Sequence, residues 1–357
     1  MNPQTVRDAK DCTIIIPVHG RQNLIPRLLD YLADFPGQVH VYDSSQRALP
    51  LCTCRSYSYF HVPGKFYHDK MRDALAAVST PYVVDCPDDD FILKNAINDA
   101  IAILEANPGV AAVRGRSLRM SGVRGRIFPR QEWERHAKRV AFSGQGLFRQ
   151  LVNLMRNALA VTHAVQRRDA LLRTYDTLVS YKHLKPLAFT DWLATYVAVA
   201  SGGVRFIARP MTMRDETRML DQPGTFPAEL EIEVPYTDLG RRLRELGDPL
   251  SPMIAQALGR TDVKTFESVT QRLLIKEYTP SQMNYEPPWL AARIPVALDP
   301  IYQQEVDEVL AIVARHRSLP DTLLGMYLNF PGVDALINFQ RRVAWKFTRV
   351  WQKLRLA

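Results

Sequence analysis

Hydrophobic and polar positions in the first 115 residues follow two alternating periods. Short β-branched runs such as Thr13–Val18 are typical of buried strands, and apolar residues three and four positions apart, as from Leu24 to Leu32, predict helices. We predict strands at 13–18, 39–42, 82–84 and 110–113, and helices at 24–32, 71–78 and 96–104. Strands separated by helices form parallel β-α-β units, whose ligands bind outside the carboxyl ends of the strands. An α/β fold is therefore expected.

The pattern changes near residue 222. Gly202 and Gly203 lead into one more predicted strand at 204–208, and the turn-forming residues of Asp221–Pro227 then indicate a boundary. From Asp238 onward the periodicity is mostly helical, with breaks at prolines. We therefore expect an α/β domain over residues 1–222 and a mostly helical region over residues 223–357.

The end of the chain predicts a basic amphipathic helix. Apolar residues from Leu336 to Leu354 fall in a stripe about 120° wide at helical spacing, and the six basic residues after residue 340 lie outside it. Such a helix either docks its apolar stripe on the protein or lies in an anionic membrane surface. Both alternatives remain open on the sequence.

Composition places the chain among ordinary globular proteins. Of its 357 residues 46% are apolar and 23% are charged, which excludes a fibrous repeat or extensive disorder. No apolar run reaches the length of a membrane span and the N-terminus lacks a secretory signal, so a cytoplasmic location is expected. The four cysteines have neither zinc spacing nor a disulfide framework, and we expect reduced thiols; a metal or redox pair at Cys52 and Cys54 is the alternative.

The net charge of +9 favours an anionic partner, such as nucleic acid, acidic lipid or a phosphorylated substrate. Nine basic residues lie between Arg114 and Arg139, where Gly115, Gly122 and Gly125 predict a loop. This loop is either a solvated surface segment or one that grips substrate phosphates.

Three consecutive carboxylates, Asp88 to Asp90, follow the third predicted strand. If this segment is extended, Asp88 and Asp90 converge while Asp89 points away. Two convergent carboxylates suit Mg²⁺ or Mn²⁺, which complete their shells with water and substrate phosphates. The alternative is a solvated acidic turn.

The segments Thr13–Arg21 and Val41–Ser45 and the strand that ends at Asp88–Asp90, in this order and spacing, resemble glycosyltransferases of the GT-A fold. The resemblance is to the large family 2-like group, which includes bacterial surface-polysaccharide enzymes, and residues 11–116 carry it. It implies a Rossmann-like domain that binds a nucleotide sugar, most often a UDP-sugar, with Mn²⁺ or Mg²⁺. It places Asp43 on the base and, through the family's Asp-x-Asp motif, Asp88 near the ribose and Asp90 on the metal. The other donor-binding residues that it implies are Pro17, His19, Arg21, Lys70, Arg72 and Asp89.

For Asp43 the alternative is a turn or a helix cap, for His19 a polar loop position, and for Lys70 and Arg72 exposed positions on a helix. The sequence leaves each of these open.

An inverting transfer needs a base that takes the proton from the acceptor hydroxyl. The family usually supplies an Asp at the start of a helix, and the resemblance points to Asp191, although Thr190 replaces the usual Glu. The alternative for Asp191 is an ordinary helix N-cap. Arg214 is the implied contact of the leaving diphosphate, and the metal-binding His that the family places nearby is absent. We predict a structural role for His163, on a core strand.

These observations predict a metal-dependent, inverting glycosyltransferase that transfers a sugar to a glycan hydroxyl of a surface-polysaccharide precursor. A lipid-linked acceptor would lie at the inner face of the cytoplasmic membrane. One alternative is a sugar-phosphate nucleotidyltransferase, whose Gly-rich loop after the first strand is not found here. The other is a non-enzymatic nucleic-acid-binding protein, which leaves the acidic cluster unexplained.

Overall fold

The structure is a computed structural model that describes residues 8–50, 57–120, 127–129, 161–180, 188–215, 250–257, 259 and 298–316. The predicted C-terminal helix, Cys52 and Cys54, and most of the basic stretch between Arg114 and Arg139 lie outside these residues. None of the described helices is long and apolar enough to cross a membrane.

The described residues form one mixed sheet of nine strands. In chain order the strands are β1 (Cys12–Val18), β2 (Gln38–Asp43), β3 (Ser58–His61), β4 (Tyr82–Asp85), β5 (Asp90–Ile92), β6 (Ala112–Met120), β7 (Ile127–Pro129), β8 (Val165–Arg167) and β9 (Val204–Asp215). Their order in the sheet is β3-β2-β1-β4-β8-β6-β9-β5, and β7 pairs with β6. Strands β3, β2, β1 and β4 are parallel, whereas β8 is antiparallel to both β4 and β6.

The described residues also form seven α-helices. They are α1 (Ile25–Tyr31), α2 (Tyr67–Ala77), α3 (Lys94–Ala106), α4 (Arg168–Ser180), α5 (Ala188–Ala200), α6 (Leu250–Ala257) and α7 (Pro300–Arg315). Short 3-10 turns at Ala9–Asp11 and Gln22–Leu24 precede β1 and α1. The α/β fold and its first three predicted helices are confirmed, with ends that differ by a few residues.

Helices cover both faces of the sheet. In β1, Ile15 belongs to a buried cluster that includes residues of α2, α4, α5 and α6, and its neighbours Ile14 and Ile16 belong to a second cluster that includes residues of α1, α3 and α7. Alternate residues of a strand face opposite sides, so a strand covered on both faces is apolar throughout. This is why the residues from Ile14 to Val18 are all apolar.

The basic segment after Val113 does not begin as a loop. Strand β6 continues to Met120 along β9, and Arg114 within it is 3% exposed. Gly115 lies within this strand, and glycine is required there because a Cβ would lie 2.5 Å from the carbonyl oxygen of Arg209. Pairing with a distant strand, which the local pattern does not encode, extends β6 beyond the predicted 110–113.

Residues from both sides of the predicted boundary at residue 222 share the core. Helix α6 contributes Met253 and Ile254 to one face of the sheet, and α7 contributes Val306 and Val309 to the other. The assignment of residues 1–222 and 223–357 to separate regions remains a prediction, and both described C-terminal helices lie on the sheet.

Candidate active site

Three parallel strands end at one edge of the sheet. Val18 at the end of β1 is in register with Asp43 at the end of β2, and β4 on the other side of β1 ends at Asp85. The loops that follow these strands carry the donor-binding residues implied by the sequence. Ligands of such sheets bind at this edge.

The loop after β1 is held against the loop after β2. The backbone N–H of Gly20 donates to Ser45 Oγ at 2.9 Å, and His19 Nδ1 lies 3.1 Å from Ser44 Oγ. Gly20 has φ 74°, a conformation that side chains other than glycine rarely adopt. His19 is exposed in this loop, and Pro17 is partly exposed in β1 before it.

Asp43 is fully buried and accepts three hydrogen bonds. The Ser45 backbone N–H donates to Oδ1 at 2.8 Å, while the Tyr59 hydroxyl and Gln22 Nε2 donate to Oδ2 at 2.7 and 2.5 Å. Burial alone would raise the pKa of this carboxyl, but the hydrogen bonds from Ser45, Gln22 and Tyr59 outweigh burial and lower it. Asp43 therefore stays ionised and ties the loop after β2 to β3 and to the turn before α1.

Lys70 is a buried lysine, so its alternative as an exposed helix residue is wrong. Its side chain is 2% exposed, and Nζ donates to the carbonyl oxygen of Val18 at 2.7 Å and to Ser44 Oγ at 3.0 Å. Burial lowers the pKa of the ammonium to about 8. Lys70 thus ties the ends of β1 and β2 together, whereas Arg72 is partly exposed and pairs with Asp73.

The acidic segment after β4 is a turn, and the extended arrangement is not found. The backbone N–H of Asp90 donates to the carbonyl oxygen of Pro87, which folds Asp88 and Asp89 into the turn. One guanidinium, that of Arg21, contacts both: Nη1 lies 2.6 Å from Asp89 Oδ2, and Nη2 pairs with Asp88 Oδ1. Asp88 and Asp89 therefore both face the guanidinium of Arg21, and Asp89 does not point away from Asp88.

A second arginine, which the sequence analysis missed, also holds this turn in place. Arg27 in α1 is 3% exposed, donates to the carbonyl oxygen of Asp89 at 3.0 Å and pairs with Asp215 Oδ2 at 2.6 Å. Its guanidinium also lies 5.2 Å from the ring centre of Phe91. A charged residue on an otherwise apolar helix face was the signal that could have identified it.

Asp90 faces a different set of partners. As the first residue of β5 it is in register with Arg214 in β9, whose Nε lies 3.4 Å from Asp90 Oδ2. His163 Nε2 lies 3.0 Å from the same oxygen. Burial opposes ionisation of Asp90, but the hydrogen bond from His163 and the nearby charges lower its pKa, while burial lowers the pKa of His163. His163 lies in a turn before β8, so the predicted strand position is wrong.

One guanidinium, that of Arg21, faces the two carboxylates of Asp88 and Asp89. Burial raises the pKa of the Asp88 carboxyl to about 7; Arg21 opposes this rise and the charge of Asp89 adds to it. Burial and the neighbouring Asp90 likewise raise the pKa of Asp89. A site with excess buried negative charge favours a bound cation.

The donor atoms present fit a hard divalent cation. Carboxylate oxygens are the ligands of Mg²⁺ and Mn²⁺, which need only one or two protein carboxylates when substrate phosphates and water complete the shell. Within the described ranges no group of three or more His, Cys, Asp or Glu side chains could hold a metal ion. A metal ion in this part of the chain would therefore take one or two protein carboxylates, such as Asp88 and Asp90, and complete its shell with water and substrate phosphates.

Asp191 lies in the first turn of α5, three residues after Ala188. This position is inside the helix, so the N-cap alternative does not apply to it. Its side chain lies outside the described part of the structure, as do residues 181–187 before the helix.

The sequence matches no protein-family model, and no curated protein matches it either. Among solved structures the chain is similar to S. aureus TarS 1-349 in complex with UDP-GlcNAc, with 16% identity, a TM-score of 0.44, and coverage of 88% of this chain and 83% of that one. It is similar to the mannosyltransferase PcManGT from Pyrobaculum calidifontis in complex with GDP-Man and Mn²⁺, with 15% identity, a TM-score of 0.40, and coverage of 88% and 89%. It is also similar to CMP:2-keto-3-deoxy-manno-octonic acid synthetase in complex with CTP, with 11% identity, a TM-score of 0.36, and coverage of 59% and 95%. Similarity at this distance transfers no activity, and the function depends on the side chains of the site.

Proposed function

We propose that this protein is a glycosyltransferase that binds a nucleotide-sugar donor at the carboxyl edge of β1, β2 and β4. The observation that carries the proposal is the buried acidic turn Asp88–Asp90, whose negative charge Arg21 only partly neutralises. A nucleoside diphosphate with a divalent cation supplies the missing positive charge and brings its own phosphate ligands. The end of β2 with Asp43 then lies beside the base, most often uracil.

Each residue at this edge has a role in donor binding. Asp88 and Asp90 hold Mn²⁺ or Mg²⁺, which when bound stabilises the charge that grows on the leaving diphosphate. Pro17, His19 and Arg21 lie under the nucleotide, with Lys70 supporting their loop and Arg72 and Asp89 at its rim. Arg214, which is in register with Asp90, is the proposed contact of the leaving diphosphate.

We further propose that Asp191 is the general base of an inverting transfer. A base on the acceptor side removes the hydroxyl proton as the bond to the sugar forms, which contributes about 100- to 10,000-fold to the rate. Asp191→Asn should therefore keep donor affinity and lose at least about 100-fold in turnover. Near-normal turnover would show that the base is another residue.

The acceptor class proposed is a glycan hydroxyl of a surface-polysaccharide precursor, carried on a lipid at the inner face of the cytoplasmic membrane. The basic helix predicted near the C-terminus would bring the enzyme to that surface, since each Lys or Arg near anionic lipid adds about 1 kcal/mol. Deletion of residues 332–357 should release the protein from anionic liposomes and leave UDP binding intact. Liposome binding that survives the deletion would reject this membrane anchor.

The experiment that tests the donor site is a thermal-shift screen of nucleotides with and without Mn²⁺. We expect stabilisation by UDP with Mn²⁺, little by Mn²⁺ alone, and loss of the combined effect in Asp90→Asn. Asp169→Asn is the matched control, because Asp169 is exposed on α4 and pairs only with its neighbour Arg168 among the described contacts. Stabilisation by nucleoside triphosphates with a sugar 1-phosphate, and not by diphosphates, would indicate a nucleotidyltransferase instead.

A further inference from the structure

His163 has the most unusual backbone of the site. It is 3% exposed and has φ 64°, and it is the one non-glycine residue with positive φ in the described part of the chain. Such conformations cost free energy and persist where the surrounding structure fixes them, often at functional sites. The strained turn directs the imidazole of His163 at Asp90.

The contact is a close polar approach of an imidazole nitrogen to a carboxylate oxygen. His163 Nε2 lies 3.0 Å from Asp90 Oδ2, and an ionised carboxylate only accepts, so a hydrogen on Nε2 is the one that would be shared. Neither Nε2 nor Nδ1 has a well-aligned hydrogen-bond partner among the described residues, so the approach to Asp90 is short but not ideally angled. A buried imidazole without aligned partners is costly as core filling, which favours a role for His163 at the Asp90 contact.

Three groups surround the Asp90 carboxylate. Besides the His163 imidazole, Arg214 Nε forms an ion pair at 3.4 Å from Oδ2, and the backbone N–H of Asp215 donates to the group. A carboxylate has about four acceptor positions on its two oxygens. These three contacts restrict the rotation of the carboxylate and leave it capacity to accept from a further partner.

We propose that His163 is a positioning residue that fixes the Asp90 carboxylate in the orientation that binds the divalent cation of the donor complex. The proposal rests on the proposed function, because it concerns the cation that accompanies the nucleotide diphosphate. Hydrogen bonds to a ligating carboxylate orient it, and their loss weakens metal binding about 10- to 100-fold. His163 acts through Asp90 and does not itself contact the cation.

The test measures Mn²⁺ affinity in the presence of UDP by electron paramagnetic resonance, without turnover, in three variants. The amide nitrogen of Gln reaches the position of Nε2, whereas that of Asn reaches only the position of Nδ1. We expect His163→Gln to keep Mn²⁺ affinity within about threefold, and His163→Asn and His163→Leu to weaken it about 10- to 100-fold. Melting temperatures without metal provide the folding control, and His163→Asn serves if the Leu variant does not fold.

The outcomes separate the possible roles of His163. Equal Mn²⁺ affinity in all folded variants means that His163 is structural, and the proposal fails. Weakening in His163→Gln as severe as in the other two means that the imidazole is itself a metal ligand, which also overturns a positioning role. A parent protein that binds no Mn²⁺ with UDP overturns the proposed function together with this inference.

Discussion

At the scale of single residues, the site is defined by buried charges that neutralise one another incompletely. The guanidinium of Arg21 forms ion pairs with both Asp88 and Asp89, whereas Asp90 contacts His163 and Arg214. A cation that binds Asp88 must therefore compete with the guanidinium of Arg21. This competition leads to a prediction about metal binding in the absence of nucleotide.

Arg21→Gln should raise the affinity of the nucleotide-free protein for Mn²⁺ by about tenfold, because removing a unit charge within contact distance is worth at least about 1.4 kcal/mol at partly buried sites. Isothermal titration calorimetry measures this change. Arg72→Gln is the matched control, since Arg72 pairs with Asp73 and has no described contact with the acidic turn. Unchanged or weaker Mn²⁺ binding in Arg21→Gln would contradict the competition.

Lys70 makes the stability of the protein depend on pH. Its pKa is about 8 in the folded protein and about 10.4 in an unfolded chain, so between these values the unfolded state binds more protons and stability rises with pH. Relative to Lys70→Met, the parent should gain up to about 3 kcal/mol in unfolding free energy between pH 7 and pH 10.5. Urea unfolding at several pH values measures the difference, and a constant difference would show that Lys70 keeps its usual pKa.

At the scale of elements, the N-terminus of α3 is capped by a residue from the other end of the chain. No side chain near Leu93 caps this helix, but Glu305 in α7 accepts from the backbone N–H groups of Lys94 and Asn95. The Tyr31 hydroxyl in α1 donates to the same carboxylate at 2.5 Å. Glu305 is 3% exposed, so one buried carboxylate joins α1, α3 and α7.

Glu305→Ala should therefore lower the free energy of unfolding by about 3 kcal/mol, because it leaves several buried donors without an acceptor. Urea unfolding followed by circular dichroism measures the loss. Asp307→Ala, at an exposed position of the same helix, should change stability by less than about 0.5 kcal/mol. A similar small effect of both substitutions would mean that α7 does not cap α3 in solution.

At the scale of the whole molecule, the sheet is enclosed by helices from both ends of the chain. Val306 and Val309 of α7 pack with residues of β1, α1 and α3, whereas Ile301 on the same helix is 50% exposed. The helices that cover the candidate domain of residues 1–222 thus include one that begins at Pro300. Its packing makes the C-terminal region part of the fold that supports the site.

Val309→Asp should destabilise the entire sheet by about 4 kcal/mol or more, because it places an unpaired charge in the core. Ile301→Asp makes the same chemical change at an exposed position of α7 and should be close to neutral. Chemical unfolding followed by circular dichroism distinguishes the two variants. If Val309→Asp unfolds with the midpoint of the parent, then α7 is not packed on the core.

The sequence by itself determined the features that depend on neighbouring residues. The buried strands at 13–18 and 82–84, the helices between them and the acidic segment Asp88–Asp90 follow from local periodicity and composition. The directions of the three carboxylates do not follow from the local pattern, because the hydrogen bond from the Asp90 backbone N–H to the Pro87 carbonyl oxygen replaces the extended chain with a turn.

Only the tertiary structure decided which distant residues meet. His163 reaches Asp90 across 73 positions of sequence and Glu305 reaches Lys94 across 211, and β6 extends to Met120 because β9 pairs with it. A local pattern reports whether a side chain prefers burial, but it does not report its partner, because the partner is selected by chain packing and strand order. His163 was therefore assigned to the core correctly and its contact with the acidic site was missed, since burial is encoded locally and proximity is not.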